Sequence, residues 1–557
     1  MSRGQSVRGT PADLAVILRD IGALLLMEAM LMTVSTLVAL AFREWYVALA
    51  FVAAGGLTAA VGYTARTLFA DAPAPRMKHG MVIAAGGWFF VAVFGALPFL
   101  LAAYFVPPEV LASYVPPGAD YARSSLRYFR HPLHALFESM SGWTGSGLTM
   151  AVHEPSLPRA VQWWRSLIQW IGGVGVIVLT VSILARPGSG SYTLYRSEAR
   201  EEKIHPSVIS TVRTVWKIFL LYTVVSVTLL FVAILLSPSR YARSLSTFEA
   251  FWQALNHAMT ALSTGGFSVT DGSIETYNSP LIEFVLLPIM TLGAIAFPIH
   301  YLVLRDRDLG ELFSDLQTRW LFILYAVGVV ALSVQLLLVG LPDAGYGAVV
   351  PAPFAVPPLQ AVALSTAQLD AVRDAVFQFV SALTCTGFQS SPVGEWNAGG
   401  KLILSAAMVL GGAAGSTVGG IKIIRGYTVS RGIMWQFSRV FLPANAVVTA
   451  RIGDRKLGRG EMEREFSEAA IVSLLWIILL IASSVVLVNT AGPEFGYADA
   501  LFEVASAQGN VGLSTGITGP TMSTVSEAML VLNMWVGRLE IIPVLVFLRS
   551  AVKGLNP

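Results

Sequence analysis

The 557-residue sequence predicts an all-α polytopic membrane protein, an N-terminal helical hairpin followed by four repeats, each a long span, a half-length span and a second long span. Three observations lead there. Apolar residues make up 55% of the chain against 13% charged, with a mean hydropathy of +0.65, outside the usual soluble range. Apolar stretches of roughly 20 residues, enough to cross a bilayer, recur along the chain. Shorter apolar stretches ending in glycine-containing strings stand between them at a near-constant period.

In chain order, residues 15 to 42 and 45 to 70 form the hairpin, joined by a short REW turn. A span at 79 to 105 is followed by a polar, Pro-containing segment, the stretch His131 to Trp143 ending in TGSGLT, and a span at 161 to 185. A helix of about 12 residues covers only about 18 Å, half a membrane, so it should enter and return. The same order recurs around 213 to 304, 319 to 424 and 466 to 549. The chain therefore divides into a hairpin (1–75) and repeats at 76–205, 206–315, 316–455 and 456–557. Basic residues concentrate in Arg66 to Lys78, Arg186 to Arg213, Arg305 to Arg319 and Arg425 to Arg464, which places the N-terminus and these segments in the cytoplasm. Arg123, Arg127, Arg130, Arg240 and Arg243 fall on the other side. The Pro- and Gly-rich stretch between about 340 and 370 reads as a surface loop without chemistry.

The remaining composition excludes several functions. A net charge of +3 is too small to argue for nucleic-acid binding. The single cysteine, Cys385, excludes an intrachain disulfide framework and a multi-cysteine metal site. The N-terminus has basic residues but no small-residue cleavage site, so its first apolar run reads as a retained helix. No nucleophile elbow, GxGxxG fingerprint or Walker sequence occurs, and nothing points to an enzyme. His131 and His134 are three residues apart, but no third ligand is near them in sequence.

The four strings align on Gly147, Gly266, Gly387 and Gly512, which lie 119, 121 and 125 residues apart. Six residues before each glycine stands a hydroxyl: Ser141, Thr260, Ser381 and Ser506. Ten and nine residues before stand Phe137 and Glu138, Asn256 and His257, Phe377 and Gln378, Phe502 and Glu503; the second pair is the outlier. One such string would read as helix contact through small residues, whereas four in register suit a cation site. Backbone carbonyls can replace the water of a partly dehydrated cation if the dihedrals aim them at one axis, which glycine permits. Irregular backbone at membrane depth needs protein or a water-filled cavity around it, and the carboxyl ends of half-helices favour cations. Glu138 and Glu503, upstream, are read as bonding the local backbone rather than the ion.

These motifs resemble the Trk/Ktr/HKT superfamily of potassium transporters over essentially the whole chain. The extra hairpin and QWIGGVGVIVLTVSIL, residues 169 to 184, resemble its TrkH branch. The resemblance implies four membrane-pore-membrane units around one central pore. It also implies potassium held by the carbonyls of Thr144, Gly145, Ser146 and Gly147; Thr264, Gly265 and Gly266; Thr384, Cys385, Thr386 and Gly387; and Asn510, Val511 and Gly512. Glycine at all four key positions favours potassium over sodium. Two departures stand out: Gly145 where many relatives have threonine, and Cys385, read as a small apolar residue without a redox role.

The run VLGGAAGSTVGGIKIIR, residues 409 to 425, should break its helix, each glycine costing about 1 kcal/mol against alanine. It is not a phosphate loop, because no hydroxyl follows Lys422 and no strand precedes. Close helix packing is one account; the resemblance implies the other, an intramembrane gate formed by Gly411, Gly412, Gly415, Ser416, Thr417, Gly419, Gly420 and Lys422. Arg538, in MWVGRLEII, is a costly intramembrane charge that the resemblance places in the pore beneath the filter, as an electrostatic barrier or a loop partner; Glu540 is read as its neutraliser or a packing residue, and a purely structural ion pair competes. Lys401 reads as a snorkelling interface residue.

The resemblance further implies a homodimer in the bacterial-type inner (plasma) membrane, contacting lipid, with a cytosolic nucleotide-binding ring of RCK type and no organic cofactor in this chain. Two functions follow, a gated channel-like potassium uptake protein or a secondary transporter coupled to protons or sodium. Coupled transporters usually carry inverted repeats, and the shared orientation of the four units favours the pore.

Overall fold

The computed structural model describes residues 12–184, 208–339, 366–441, 450–453 and 455–555. Most of the basic segment Arg186 to Arg213, residues 1–11 and the expected loop up to residue 365 lie outside the described residues. Among the described residues, six helices are long and apolar enough to cross a membrane alone, and two further pairs qualify together, bent at a short break.

The hairpin pairs Ala12–Ala41 with Trp45–Leu68. Gly22 and Gly62 bring the two backbones together: a β-carbon on either would stand 2.7–2.8 Å from the other's carbonyl oxygen. The pair lies against Met77–Gly95 and Leu97–Phe105, which together make the first long span of the first unit.

Four half-length helices follow the expected order: Pro132–Thr144, Thr247–Leu262, Thr366–Leu383 and Tyr497–Gly509. At 13 to 18 residues they run about 20–27 Å, short of a membrane crossing. Three begin on recognisable signals: Pro132 in the first turn, Ser246 accepting from the Glu249 N–H, and Asp499 accepting from the Gly496 N–H. Each then packs on the second long helix of the preceding unit: Thr247–Leu262 on Arg159–Leu184, Thr366–Leu383 on Pro280–Ala294, Tyr497–Gly509 on Ala398–Leu410. The first, Pro132–Thr144, packs on Thr524–Leu539 of the last unit and closes the circle.

The second long spans depart from expectation. The glycine-rich run interrupts the third, between Ala398–Leu410 and Ile423–Val440, but the second and fourth, expected to be continuous, also break. Pro280–Ala294 meets Phe297–Asp306 at 106°, and Thr524–Leu539 meets Ile541–Lys553 at 114°. Extended backbone at Ile295 and Ala296 makes the first bend, and Glu540, at φ +62°, makes the second. A broken helix leaves carbonyls that must be satisfied away from water. Those of Gly293 and Ala294 accept from the N–H groups of Thr417 and Ala413 at 3.1 Å, so the interruption of the third unit satisfies that of the second.

Candidate ion pathway

Each half-helix ends in the same way. The N–H two residues before the key glycine returns to a carbonyl three residues back, and the next N–H returns five back, to the aligned hydroxyl residue. The pairs are Ser146 to Ser141 at 2.8 Å, Gly265 to Thr260 at 2.8 Å, Thr386 to Ser381 at 2.9 Å and Val511 to Ser506 at 2.9 Å. This is a Schellman ending, which requires a left-handed residue just past the helix. Gly145, Thr264, Cys385 and Asn510 occupy that position, with φ of +68°, +52°, +51° and +55°. Gly145 is therefore the residue best suited to its place, and its three counterparts carry the conformational cost, of order 1–2 kcal/mol for a residue with a β-carbon. The aligned hydroxyls also brace the strand: Thr260 and Ser381 donate to the Phe267 and Phe388 carbonyls at 2.9 and 2.8 Å, and Ser506 accepts from the Gly512 N–H at 2.9 Å.

The four key glycines then meet in a ring. A β-carbon on Gly147 would collide with the carbonyl oxygen of Gly265, one on Gly266 with that of Thr386, one on Gly387 with that of Val511, and one on Gly512 with that of Ser146, all under 3.0 Å. Each strand abuts the next unit's strand and the last returns to the first, which sets four backbones around a common axis. Side chains reinforce it: Asn510 Nδ2 donates to Ser146 Oγ at 2.8 Å, and Thr384 and Thr386 share a hydroxyl bond at 2.8 Å, as Thr144 and Ser146 do at 2.9 Å. Cys385 is buried with a free thiol.

Behind the ring, the residue nine before each glycine holds the chain just after it. Glu138 accepts from the Met150 N–H and the Thr149 hydroxyl, both at 2.9 Å, and pairs with buried Arg165 at 2.7 Å. Glu503 accepts from the Thr515 N–H and the Ser514 hydroxyl at 2.8 Å. His257, in the outlying repeat, takes the same place: its Nε2 accepts from the Val269 N–H at 3.2 Å and bonds Ser268 Oγ at 2.9 Å. Gln378, with its amide turned to satisfy both sides, accepts from the Ser390 N–H at 2.6 Å. Three kinds of side chain at four positions thus meet one requirement, an acceptor for a loop N–H. Sequence reasoning missed Gln169, which spans the second strand, donating to the Gly265 carbonyl at 2.7 Å and accepting from the Phe267 N–H at 2.9 Å. Its signal was an amide inside an apolar span, where an unpartnered polar group is expensive.

Below the ring lies the interruption of the third unit. Gly411, Gly415 and Gly420 take positive φ, Ser416 donates to the Ala413 carbonyl at 2.6 Å, and Lys422 donates to the Val418 carbonyl. Gly412 leaves its carbonyl to the Ile423 N–H at 3.0 Å, and Gly419 lies against Gly509 and Asn510 of the fourth unit. Thr417 touches the ring directly, its hydroxyl 2.9 Å from that of Thr264. Arg538, 5% exposed, comes to the same place from the last unit; its Nη1 is the nearest atom to where a Gly145 β-carbon would be, at 3.8 Å. It donates to the carbonyls of Thr417 at 2.5 Å, Gly172 at 2.8 Å and Gly173 at 3.3 Å.

Two sequence expectations are corrected here. Glu540 does not neutralise Arg538: the backbone reversal at Glu540 turns its side chain to Arg425, which it meets through two bonds of 2.8 and 3.1 Å. Among the described residues Arg538 is held by carbonyls, not by a carboxylate. Lys401 does not snorkel; 8% exposed, it pairs with Asp499 at 2.5 Å and ties the third unit to the last half-helix. His131 and His134 do have a third candidate ligand, Glu527, brought by the fold from the far end of the chain.

Comparison with known proteins agrees with this architecture. A family model for TrkH, described as cation transport protein, matches residues 79–553. The chain belongs to the TrkH family. An uncharacterized cation transporter of Methanocaldococcus jannaschii is 31% identical over 472 residues, covering 85% of this chain and 82% of that one. The Trk system potassium uptake protein TrkH of Halomonas elongata is 28% identical over 548 residues, 97% of this chain and 99% of its own. Among solved structures, the potassium transporter TrkH of Vibrio parahaemolyticus shares the fold with a TM-score of 0.74 at 22% identity, over 97% and 99% of the two chains. This TrkH-family chain is accordingly a multi-pass membrane protein of a cation-transporting family.

Proposed function

We propose that this protein takes up potassium across the plasma membrane, of bacterial inner-membrane type, through one selectivity filter built by four units at 76–205, 206–315, 316–455 and 456–557. The observation that carries the proposal is the ring of Gly147, Gly266, Gly387 and Gly512, each closed against the next unit's backbone. Backbone carbonyls of the four strands replace the ion's water, and the Schellman endings aim four helix carboxyl ends at it. Potassium is the cargo, and relatives named as potassium uptake proteins support that choice. The loop from Gly411 to Lys422, locked by Arg538 beneath the filter, is the gate, and Arg538 adds an electrostatic barrier while it stays there.

In this reading the N-terminus is cytoplasmic, the chain works as a homodimer, and an RCK-type nucleotide-binding ring moves the gate from the cytosolic side. No enzymatic step and no organic cofactor enters. The test is rubidium or potassium flux into proteoliposomes of the purified chain, driven by a potassium gradient alone. Uptake without a pH or sodium gradient is expected. A strict requirement for either second gradient would replace the channel reading with a coupled transporter, and flux insensitive to a Gly387→Ser change would remove the filter assignment.

A further inference from the structure

The fold joins three potential metal ligands at the end of the first half-helix farthest from the filter ring. His131 caps that helix at its amino end and His134 lies one turn on. Glu527 stands in the first turn of Thr524–Leu539, the helix that carries Arg538 in its last turn. The ligand atoms of the three residues all lie within 4.8 Å of one another, His134 Nδ1 sits 2.7 Å from Glu527 Oε1, and the two imidazole rings are 4.5 Å apart at their centres.

We infer that His131, His134 and Glu527 form a site for a borderline divalent metal ion, zinc foremost, stapling the first half-helix to the last unit's pore-lining helix. Two imidazoles and one carboxylate with a free fourth position are a ligand set that zinc takes, and the harder magnesium and calcium ions do not favour it. With bonds of about 2.0–2.1 Å in a tetrahedral site, two ligand atoms on one zinc lie about 3.4 Å apart, so closure asks for up to about 1.5 Å of movement. The exposed His131 ring is free to supply it, since the ring has no hydrogen bond among the described residues. Glu527 is 1% exposed, and a carboxylate buried so deeply gains from a cation placed beside it. The joined segments are 393 residues apart in sequence, which is why the spacing of the two histidines alone showed only two ligands. None of the three belongs to the ring or the gate, so the site is additional to the ion pathway.

Zinc and cobalt titrations of the full chain in detergent or nanodiscs test it. Expected are one tetrahedral cobalt per chain by its visible absorption, displaced by zinc, and a zinc-dependent rise in melting temperature that magnesium does not reproduce. His131→Ala, on an exposed ring whose loss leaves the fold intact, should abolish both signals, as should His134→Ala. A cobalt spectrum or zinc shift that survives His131→Ala, or no difference between zinc and magnesium in the unaltered chain, overturns the assignment.

Discussion

Arg538 Nη1 donates to the carbonyl oxygen of Thr417 at 2.5 Å, so the last unit holds the third unit's loop beneath the ring. Two further carbonyls, of Gly172 and Gly173, complete its hold. Charged hydrogen bonds are worth roughly 1.5–3 kcal/mol each, and about 1.4 kcal/mol is tenfold in an equilibrium. Arg538→Gln should therefore raise basal rubidium flux in proteoliposomes about tenfold or more. An unchanged or lower flux would assign Arg538 to structure alone.

The key glycines answer to a different constraint. A β-carbon on Gly387 would enter the Val511 carbonyl, which is backbone and cannot rotate away. Gly387→Ala should cost the 1–3 kcal/mol typical of overpacking and lower potassium uptake or potassium-over-sodium preference in a complemented uptake-deficient strain. Alanine at Gly56, which has open space around it, should leave both unchanged.

Gly145 is the departure that most invites a selectivity test, yet its place at the left-handed end of a Schellman turn predicts a stability effect instead. Gly145→Thr should lower thermal stability by the equivalent of about 1–2 kcal/mol. Cys385→Gly, at the matching position of the third unit with φ +51°, should raise it. Ion preference should stay within about twofold in both if the backbone path is retained.

The pair Glu138 and Arg165 is buried on both sides, at 0% and 1% exposure. Removing one partner of such a pair leaves a stranded charge and costs about 3–5 kcal/mol. Glu138→Ala should abolish folded expression or lower the detergent melting temperature steeply. Glu503→Gln, where the partners Ser514, Thr515 and Thr518 are neutral, should cost clearly less. Equal losses would mean that Arg165 does not depend on Glu138.

Glu154 lies in the loop after the first strand, and burial pushes its carboxyl from about 4.5 up to about 8. The folded protein then keeps a proton that the unfolded chain has lost, so stability should fall as pH rises from about 4.5 to about 8. Thermal melts across that range should show the decline, and Glu154→Gln should flatten it. A decline of the same slope in the variant would assign it to other groups.

Much of this protein was legible in one dimension because repetition multiplies weak signals. A single SGWTGSGL is ambiguous, but Gly147, Gly266, Gly387 and Gly512 at a steady period, each six residues after a hydroxyl, mark one structure built four times. The hydroxyl positions proved to be the carbonyls that close each helix, so the alignment had found a hydrogen bond without knowing it. Glu138, His257, Gln378 and Glu503 are of three residue types and share only an acceptor aimed at a loop N–H, a function visible only once the loops are in place.

By itself the sequence determined the membrane class, the hairpin, the order of long and half-length helices and the register of the four glycines, because hydropathy, helix length and glycine placement act locally. Only the tertiary structure decided the partners. It set Glu540 on Arg425 rather than Arg538, Lys401 on Asp499, and Glu527 beside His131 and His134. It also decided that the helix breaks of the second and third units satisfy one another. The physical reason is that buried charges and freed backbone groups must find partners wherever the fold brings them, and closing four units into a ring joins residues that the chain keeps hundreds of positions apart.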